Sequence, residues 1–278
     1  MKSRLAVSEA LYLKPLLFGL EKPESPFELV VDIPSRNALK FSDRSGEIRN
    51  AFLSPIDYAR HGAEYCMVPD VAVSSTSRSD TIQLIVKQDV RDIRSIAVDI
   101  RGTSEIILAK IILLEKFRST PSKESDLQFI PMARDVPSML ARADAALVLN
   151  FMPDLHPSGV FALDLVEEWF DLTGLPYVHG FWVGREEEST MDEIQALVAA
   201  KKQGTALVTK IAEHGASAIG MKKADAVQYF SSFSYNLGEP EKESLSEFVR
   251  YSYFHGAIGD LPDLNFFEIP TPLSPSLN

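Results

Sequence analysis

Two hydroxyl pairs and one histidine stand out as residues whose types and settings could do chemistry. Thr103-Ser104 follows an apolar run and Gly102, and precedes a helix-like apolar repeat. Adjacent hydroxyls at a helix start, backed by unpaired backbone amides and the positive end of the helix dipole, can hold a carboxylate. The same residue types at the same place commonly do no more than cap the helix. Ser74-Ser75 follows directly on the apolar Val71-Ala72-Val73 and opens the Ser/Thr-rich stretch SSTSRSD at 74–80, which reads equally as a plain loop. His179 lies in the aromatic segment from Tyr177 to Trp182. An imidazole there can serve as a base or ligand contact, or as a hydrogen-bonded structural group, the more frequent case.

Other chemistries find no support. The five histidines, at 61, 156, 179, 214 and 255, show no paired ligand spacing and no accompanying cysteine pattern, so no metal is assigned. Glu167 and Glu168 are adjacent on a helix-like run and point in different directions, which argues against a catalytic carboxylate pair. No phosphate-binding glycine loop, dinucleotide-type glycine pattern or nucleophile elbow occurs, and no cofactor is expected. The net charge of -11, with dispersed acids and no basic cluster beyond Lys222-Lys223, makes nucleic acid an unfavourable partner. Cys66 is the sole cysteine, so an internal disulfide is impossible and the composition fits a reducing compartment. The N-terminal run is broken by Glu9 and Lys14 and reads as mature structure. Nowhere do about 18 uninterrupted apolar residues occur, so no spanning helix and no membrane partner are expected.

The elements that must position these residues alternate between strand and helix patterns. Apolar runs at 5–8, 28–33, 51–54, 80–89 and 96–99 read as strands, with a helix-like stretch over 10–21. Ile106, Ile107, Ile111 and Leu114 recur at helical spacing after Thr103-Ser104. Residues 119–126 read as a loop, and 137–150 as a helix and strand ending at Asn150. Thr173-Gly174-Leu175-Pro176 stops a helix and releases a strand from Tyr177 to Val183, with Trp169 assigned to the core. Thr190 stands three residues before Glu193, a capping-box spacing, and the helix it opens is expected to stop at Gly204. Two or three more helices follow, the last carrying Leu245, Phe248, Val249 and Tyr253, and the Pro-rich tail is expected to be disordered. The pattern implies an α/β fold with mainly parallel sheets in two lobes, whose ligands bind at the carboxyl ends of strands.

Several longer stretches carry a resemblance. LKPLLFGLE at 13–21, AFLSPIDYAR at 51–60, VAVSS at 71–75, IAVDIRGTS at 96–104, ADAALVL at 143–149, DLVEEWFDLTGLPYVHGFW at 164–182 and YNLGEPEKESLSEF at 235–248 resemble the futalosine-pathway menaquinone biosynthesis family. That family includes chorismate dehydratase and a related cyclase. The resemblance spans nearly the whole chain and implies a two-lobed, periplasmic-binding-protein-like α/β fold with mixed, mostly parallel sheets and flanking helices, used in the cytoplasm. The expected division is 1–90 for the first part of lobe 1, 91–180 for lobe 2 and 181–278 for the return to lobe 1.

The resemblance further implies a lyase that removes water from the dianionic cyclohexadiene chorismate to give 3-(1-carboxyvinyloxy)benzoate. Such a reaction needs carboxylate donors, a proton acceptor, which can be a carboxylate of the substrate itself, and a donor for the leaving hydroxyl. Ser75, Thr103 and Ser104 match the family's hydroxyl positions, and Ser54, Asn150, Phe151 and Tyr177 join them as substrate-binding candidates. Tyr12 and His179 are the candidates for proton transfer. The chain departs from the family at Tyr12, where the dehydratases carry a functional Asn, at Asn150-Phe151, where Gly-Asp is usual, and at Ser77, where Gly is usual. Two readings follow: a dehydratase, or a non-catalytic binding protein for a hydroxybenzoate-like carboxylate on the same fold.

Overall fold

The computed structural model describes residues 2–43, 48–61, 64–76, 78–117, 127–149, 159–216 and 221–269. Ser77, the 119–126 loop, Asn150, Phe151 and the Pro-rich tail from 270 lie outside the described residues.

The chain begins with strands β1 (Ser3–Val7), β2 (Phe27–Val31), β3 (Ile48–Leu53) and β4 (Cys66–Ser75), interleaved with the one-turn helix α1 (Lys14–Leu17), α2 (Pro34–Ser42) and α3 (Pro55–His61). It then crosses to a second body holding β5 (Ile82–Lys87), β6 (Ser95–Asp99), α4 (Ser104–Ile112), β7 (Gln128–Met132), α5 (Val136–Arg142), β8 (Ala145–Leu149), β9 (Val160–Asp164) and α6 (Leu165–Thr173). Strand β10 (Tyr177–Gly184) returns to the first body. Helices α7 (Met191–Ala206), α8 (Val208–Gly215), α9 (Lys223–Ser231) and α10 (Glu239–Phe254) complete it.

Each body is built on one five-stranded sheet, ordered β2-β1-β3-β10-β4 and β7-β6-β8-β5-β9. In each, four strands run one way and one runs against them: β10 pairs antiparallel with β3 and β4, and β5 with β8 and β9. The odd strand is in both cases the first one laid down after a crossing. Because β5 belongs to the second sheet, the outward crossing falls near residue 79 rather than at 90, and the return falls at Tyr177 rather than after 180. The outward crossing is pinned: buried Asp164 accepts from the amides of Ser79 and Asp80 while its other oxygen caps α6 through Val166 and Glu167.

Two corrections concern helices. The helix-like 10–21 segment folds only as a short 3-10 turn, Leu11–Leu13, followed by α1, since Pro15 interrupts the ladder and Gly19 turns left-handed at φ +84°. Gly204 does not stop α7, which runs on to Ala206 from the predicted Thr190–Glu193 capping box. It is instead a contact point, where a Cβ would lie 1.8 Å from the Pro15 carbonyl oxygen.

Each sheet buries both faces, as the near-continuous apolar strands require. In the first lobe, Leu5, Val7, Phe52 and Trp182 pack against α1, α7, α8 and α9, while Ala6, Leu53 and Phe181 face α2 and α3. In the second, Trp169 is fully buried, as expected from the sequence.

Candidate active site between the lobes

The two strands that connect the lobes carry the first group of site residues. In the ladder between β4 and β10, Ser75 stands directly opposite Tyr177, and His179 lies two residues further along β10 beside a bulge. This brings Ser75 Oγ to 2.5 Å from His179 Nε2. The Tyr12 ring, delivered by the turn after β1, comes to 5.2 Å from the imidazole, and Tyr177 and Phe233 approach it at 5.1 and 5.4 Å. Ser75, Tyr177 and His179 are almost wholly buried.

Burial governs the electrostatics of this group. It drives the His179 pKa down to about 3, so the imidazole is neutral, and it pushes the Tyr12 and Tyr177 phenols well above their usual range, with the Glu105 carboxylate adding to both shifts. A neutral imidazole carries one N–H. Either Ser75 donates to Nε2, or Nε2–H donates to Ser75 and leaves the hydroxyl proton to point elsewhere. His179 Nδ1 and the Tyr177 hydroxyl have no protein partner among the described residues. A serine–histidine nucleophile needs its imidazole oriented by a carboxylate at Nδ1, and none is there, so acyl transfer is not supported.

The second group lies where α3 of the first lobe meets α4 of the second. Thr103 Oγ1 donates to Ser54 Oγ at 3.0 Å, Ser54 Oγ donates to Asp57 Oδ2 at 2.6 Å, and Ser104 Oγ accepts from the Ile56 amide at 2.9 Å. Neither Thr103 nor Ser104 caps α4; both hydroxyls bind across the lobes instead.

Beside Tyr12 lies a cleft of about 280 Å³, lined from the first lobe by Ser8, Glu9, Tyr12 and Asp32 and from the second by Thr81, Arg101, Glu105 and Leu149, with Tyr177 and His179 packed behind Tyr12 and not on its lining. Arg101 is held by a two-pronged ion pair with buried Asp99, which raises its pKa. Arg134 is bonded to the Leu149 carbonyl at 3.1 Å and has its pKa lowered by burial and by Arg101. One guanidinium group, that of Arg101, therefore lines the cleft, with the exposed Arg134 near it and off the lining. On the floor, burial raises the Glu105 carboxyl, and Asp57 and Asp99 add to this, against an opposing hydrogen bond from the Thr103 amide at 2.9 Å. Of the sequence-derived candidates, Tyr12, Ser75, Tyr177 and His179 are brought together. Ser54, Thr103 and Ser104 form a separate latch. Glu105, Arg101 and Phe233 were not singled out from the sequence, although Glu105 is the sole acid in the otherwise apolar first turn of α4, a signal that marks it.

A two-lobed α/β protein with a small-molecule cleft at the strand ends between its sheets is the class that this architecture defines. The model of the menaquinone biosynthesis family matches residues 3–253, and the chain belongs to that family. The chain is 25% identical over 216 residues to the chorismate dehydratase of Thermus thermophilus, covering 74% of this chain and 80% of that protein. Among solved structures, a protein from Archaeoglobus fulgidus superposes with a TM-score of 0.74 at 18% identity, over 92% of this chain and 98% of its own. The periplasmic aliphatic sulphonate binding protein SsuA of Escherichia coli superposes with a TM-score of 0.65 at 16% identity, over 99% of this chain and 94% of its own. The periplasmic-binding-protein-like fold is thereby shown.

Proposed function

We propose that this protein is a cytoplasmic chorismate dehydratase of the futalosine route to menaquinone, converting chorismate to 3-(1-carboxyvinyloxy)benzoate. The observation that carries the reading is the cleft with Arg101 on one side and Tyr12 on the other, where Tyr12 packs on His179, and behind it the Tyr177 hydroxyl and His179 Nδ1 are buried without a protein partner among the described residues. Buried polar groups without partners are costly in a folded chain, and a ligand rich in carboxylate and hydroxyl oxygens would satisfy them. Arg101 in the cleft, with Arg134 near it, supplies positive charge for an anion, the family match supports a role in menaquinone biosynthesis, and the named relative supports chorismate as the substrate.

The second reading, a binding protein for a hydroxybenzoate-like acid, is favoured by one observation. Tyr12, His179 and Phe233 form an aromatic surface with ring separations of 5.2 to 5.4 Å, suited to stacking on a flat ring. Incubation of the purified protein with chorismate, followed by mass-resolved chromatography and thermal-shift readings on the same samples, separates the two. The dehydratase forms the carboxyvinyloxybenzoate; the binding protein is stabilised by chorismate or hydroxybenzoates and forms none.

A further inference from the structure

The dehydration needs a group that gives a proton to the leaving hydroxyl, and none of the three aromatic groups on or behind the cleft lining is suited to it. His179 is neutral and so weakly basic in its buried setting that it carries no second proton to give, and Tyr12 and Tyr177 hold theirs too tightly. Glu105 is placed differently. Its carboxyl lines the cleft itself, anchored through Oε2 by the Thr103 amide at the start of α4, and faces Tyr12 across the same space. Of the other acids lining that cleft, Asp32 is paired with Lys40 and Arg36, and Glu9 is exposed to solvent with its charge acting on the Arg101 guanidinium. Asp57 and Asp99 do not line it, and they are engaged by Ser54 and Arg101. Glu105 is therefore the carboxyl best placed to meet a ligand oxygen.

We infer that Glu105 is the catalytic general acid, donating its carboxyl proton to the ring hydroxyl of the substrate as the carbon–oxygen bond breaks. This rests on the chorismate reading above. The breaking bond's electron pair goes to oxygen, which leaves as water. The hydrogen on the neighbouring ring carbon departs as a proton to a carboxylate of the substrate, and its electron pair completes the aromatic ring. That proton returns to Glu105 through solvent once product leaves, so no oxidant, metal or other reactant is consumed. The Thr103 amide has a role in this scheme: its hydrogen bond strengthens as Glu105 becomes anionic, stabilising the charge that proton transfer creates. Burial keeps Glu105 protonated further up the pH scale than an exposed glutamate, as a general acid requires.

The test is the conservative Glu105→Gln, which keeps an oxygen for the Thr103 amide and removes the proton. Its kcat with chorismate is expected to fall by roughly 100-fold or more while KM stays within about threefold, as loss of a general acid predicts. The wild-type kcat should decline on the alkaline side as Glu105 ionises. Glu105→Gln should lack that limb, and Glu105→Asp should recover part of the rate. Thermal denaturation of each variant reports folding, and an infrared difference spectrum between wild type and Glu105→Gln reports the protonated carboxyl without any turnover. A Glu105→Gln enzyme with kcat within about twofold of wild type and the same pH profile overturns the inference and leaves the chorismate reading standing. An ionised Glu105 at neutral pH in the chorismate complex also overturns it. Absence of product from the wild-type protein overturns the chorismate reading and the general-acid role with it.

Discussion

At the scale of the residue, the site trades stability for unpaired polar groups. The Tyr177 hydroxyl is buried without a protein partner, so the fold bears its desolvation, about 1–3 kcal/mol for such a group. Tyr177→Phe should therefore raise the melting temperature while weakening chorismate binding by about tenfold, the worth of one lost hydrogen bond. Calorimetric melting and titration of the same variant check this, and a destabilised Tyr177→Phe would show that the hydroxyl serves the fold. His179 makes a pH prediction with a definite sign. Its folded pKa of about 3 lies below the ordinary value of 6.5, so between these values the unfolded chain holds a proton that the native chain does not. The stability His179 confers is present above pH 6.5 and is lost as pH falls toward 3, at up to about 1.4 kcal/mol per pH unit. Asp57, Asp164 and Glu105, raised by burial, act in the opposite sense: their contribution is greatest in acid and fades as pH rises through their folded values. Urea unfolding of wild type against His179→Gln across pH 4 to 7 isolates the histidine, and parallel pH dependences for the two would refute the assignment.

At the scale of the element, what the sequence reveals divides by position in the sheet. The strands recognised from their apolar runs, β1, β3, β5, β6, β8 and β10, pair on both sides, and β2 alone among those recognised is an edge. The three not recognised, β4, β7 and β9, are all edges. Edge strands tolerate residues that central strands exclude: β4 contains Pro69 and a left-handed Asp70 at φ +61°, and β7 contains Pro131. The site divides in the same way. Tyr177 and His179 were legible because they sit on a strand with a clear signal, and Ser75 because it follows directly on an apolar run, whereas Glu105 and Arg101 acquire their roles only when the second lobe folds against the first. The Thr103-Ser104 pair shows the converse, since helix-start residues that look like caps are drawn into contacts that no local pattern encodes. Gly204 makes the packing prediction at this scale. A methyl group there would overlap the Pro15 backbone, which cannot swing aside as a flexible side chain can. Gly204→Ala should therefore lose about 1–3 kcal/mol despite the higher helix propensity of Ala, as overpacking dictates. A stabilised Gly204→Ala in chemical denaturation would mean that α1 yields freely.

At the scale of the whole molecule, two helices belong to both lobes. From α3, Ile56 and Ala59 are buried in the second lobe's core with Leu108, Ile112 and Trp169, while Tyr58 is buried in the first. From α10, Phe248 and Val249 enter the second core and Leu245 the first, and Ser244 accepts a hydrogen bond from the Trp169 indole. Beyond its end, His255 bonds Glu115 through Nε2, and its carbonyl accepts from Lys110. A shared apolar core of this kind resists the hinge motion that two separately packed lobes would allow. The Ser54–Thr103 and Ile56–Ser104 hydrogen bonds are each worth only about 1 kcal/mol net, so the shared core, which also holds Ile56, supplies most of the resistance to lobe separation. The radius of gyration, about 19 Å for a compact chain of this length, should therefore be the same in solution scattering with and without saturating chorismate. Phe248→Ala removes an anchor from the shared core at a cost of about 3–5 kcal/mol and should make the particle larger when free and contract when chorismate is added. Contraction of the wild-type protein on saturation would show instead that the lobes swing as units, with α3 and α10 sliding over one of the two cores.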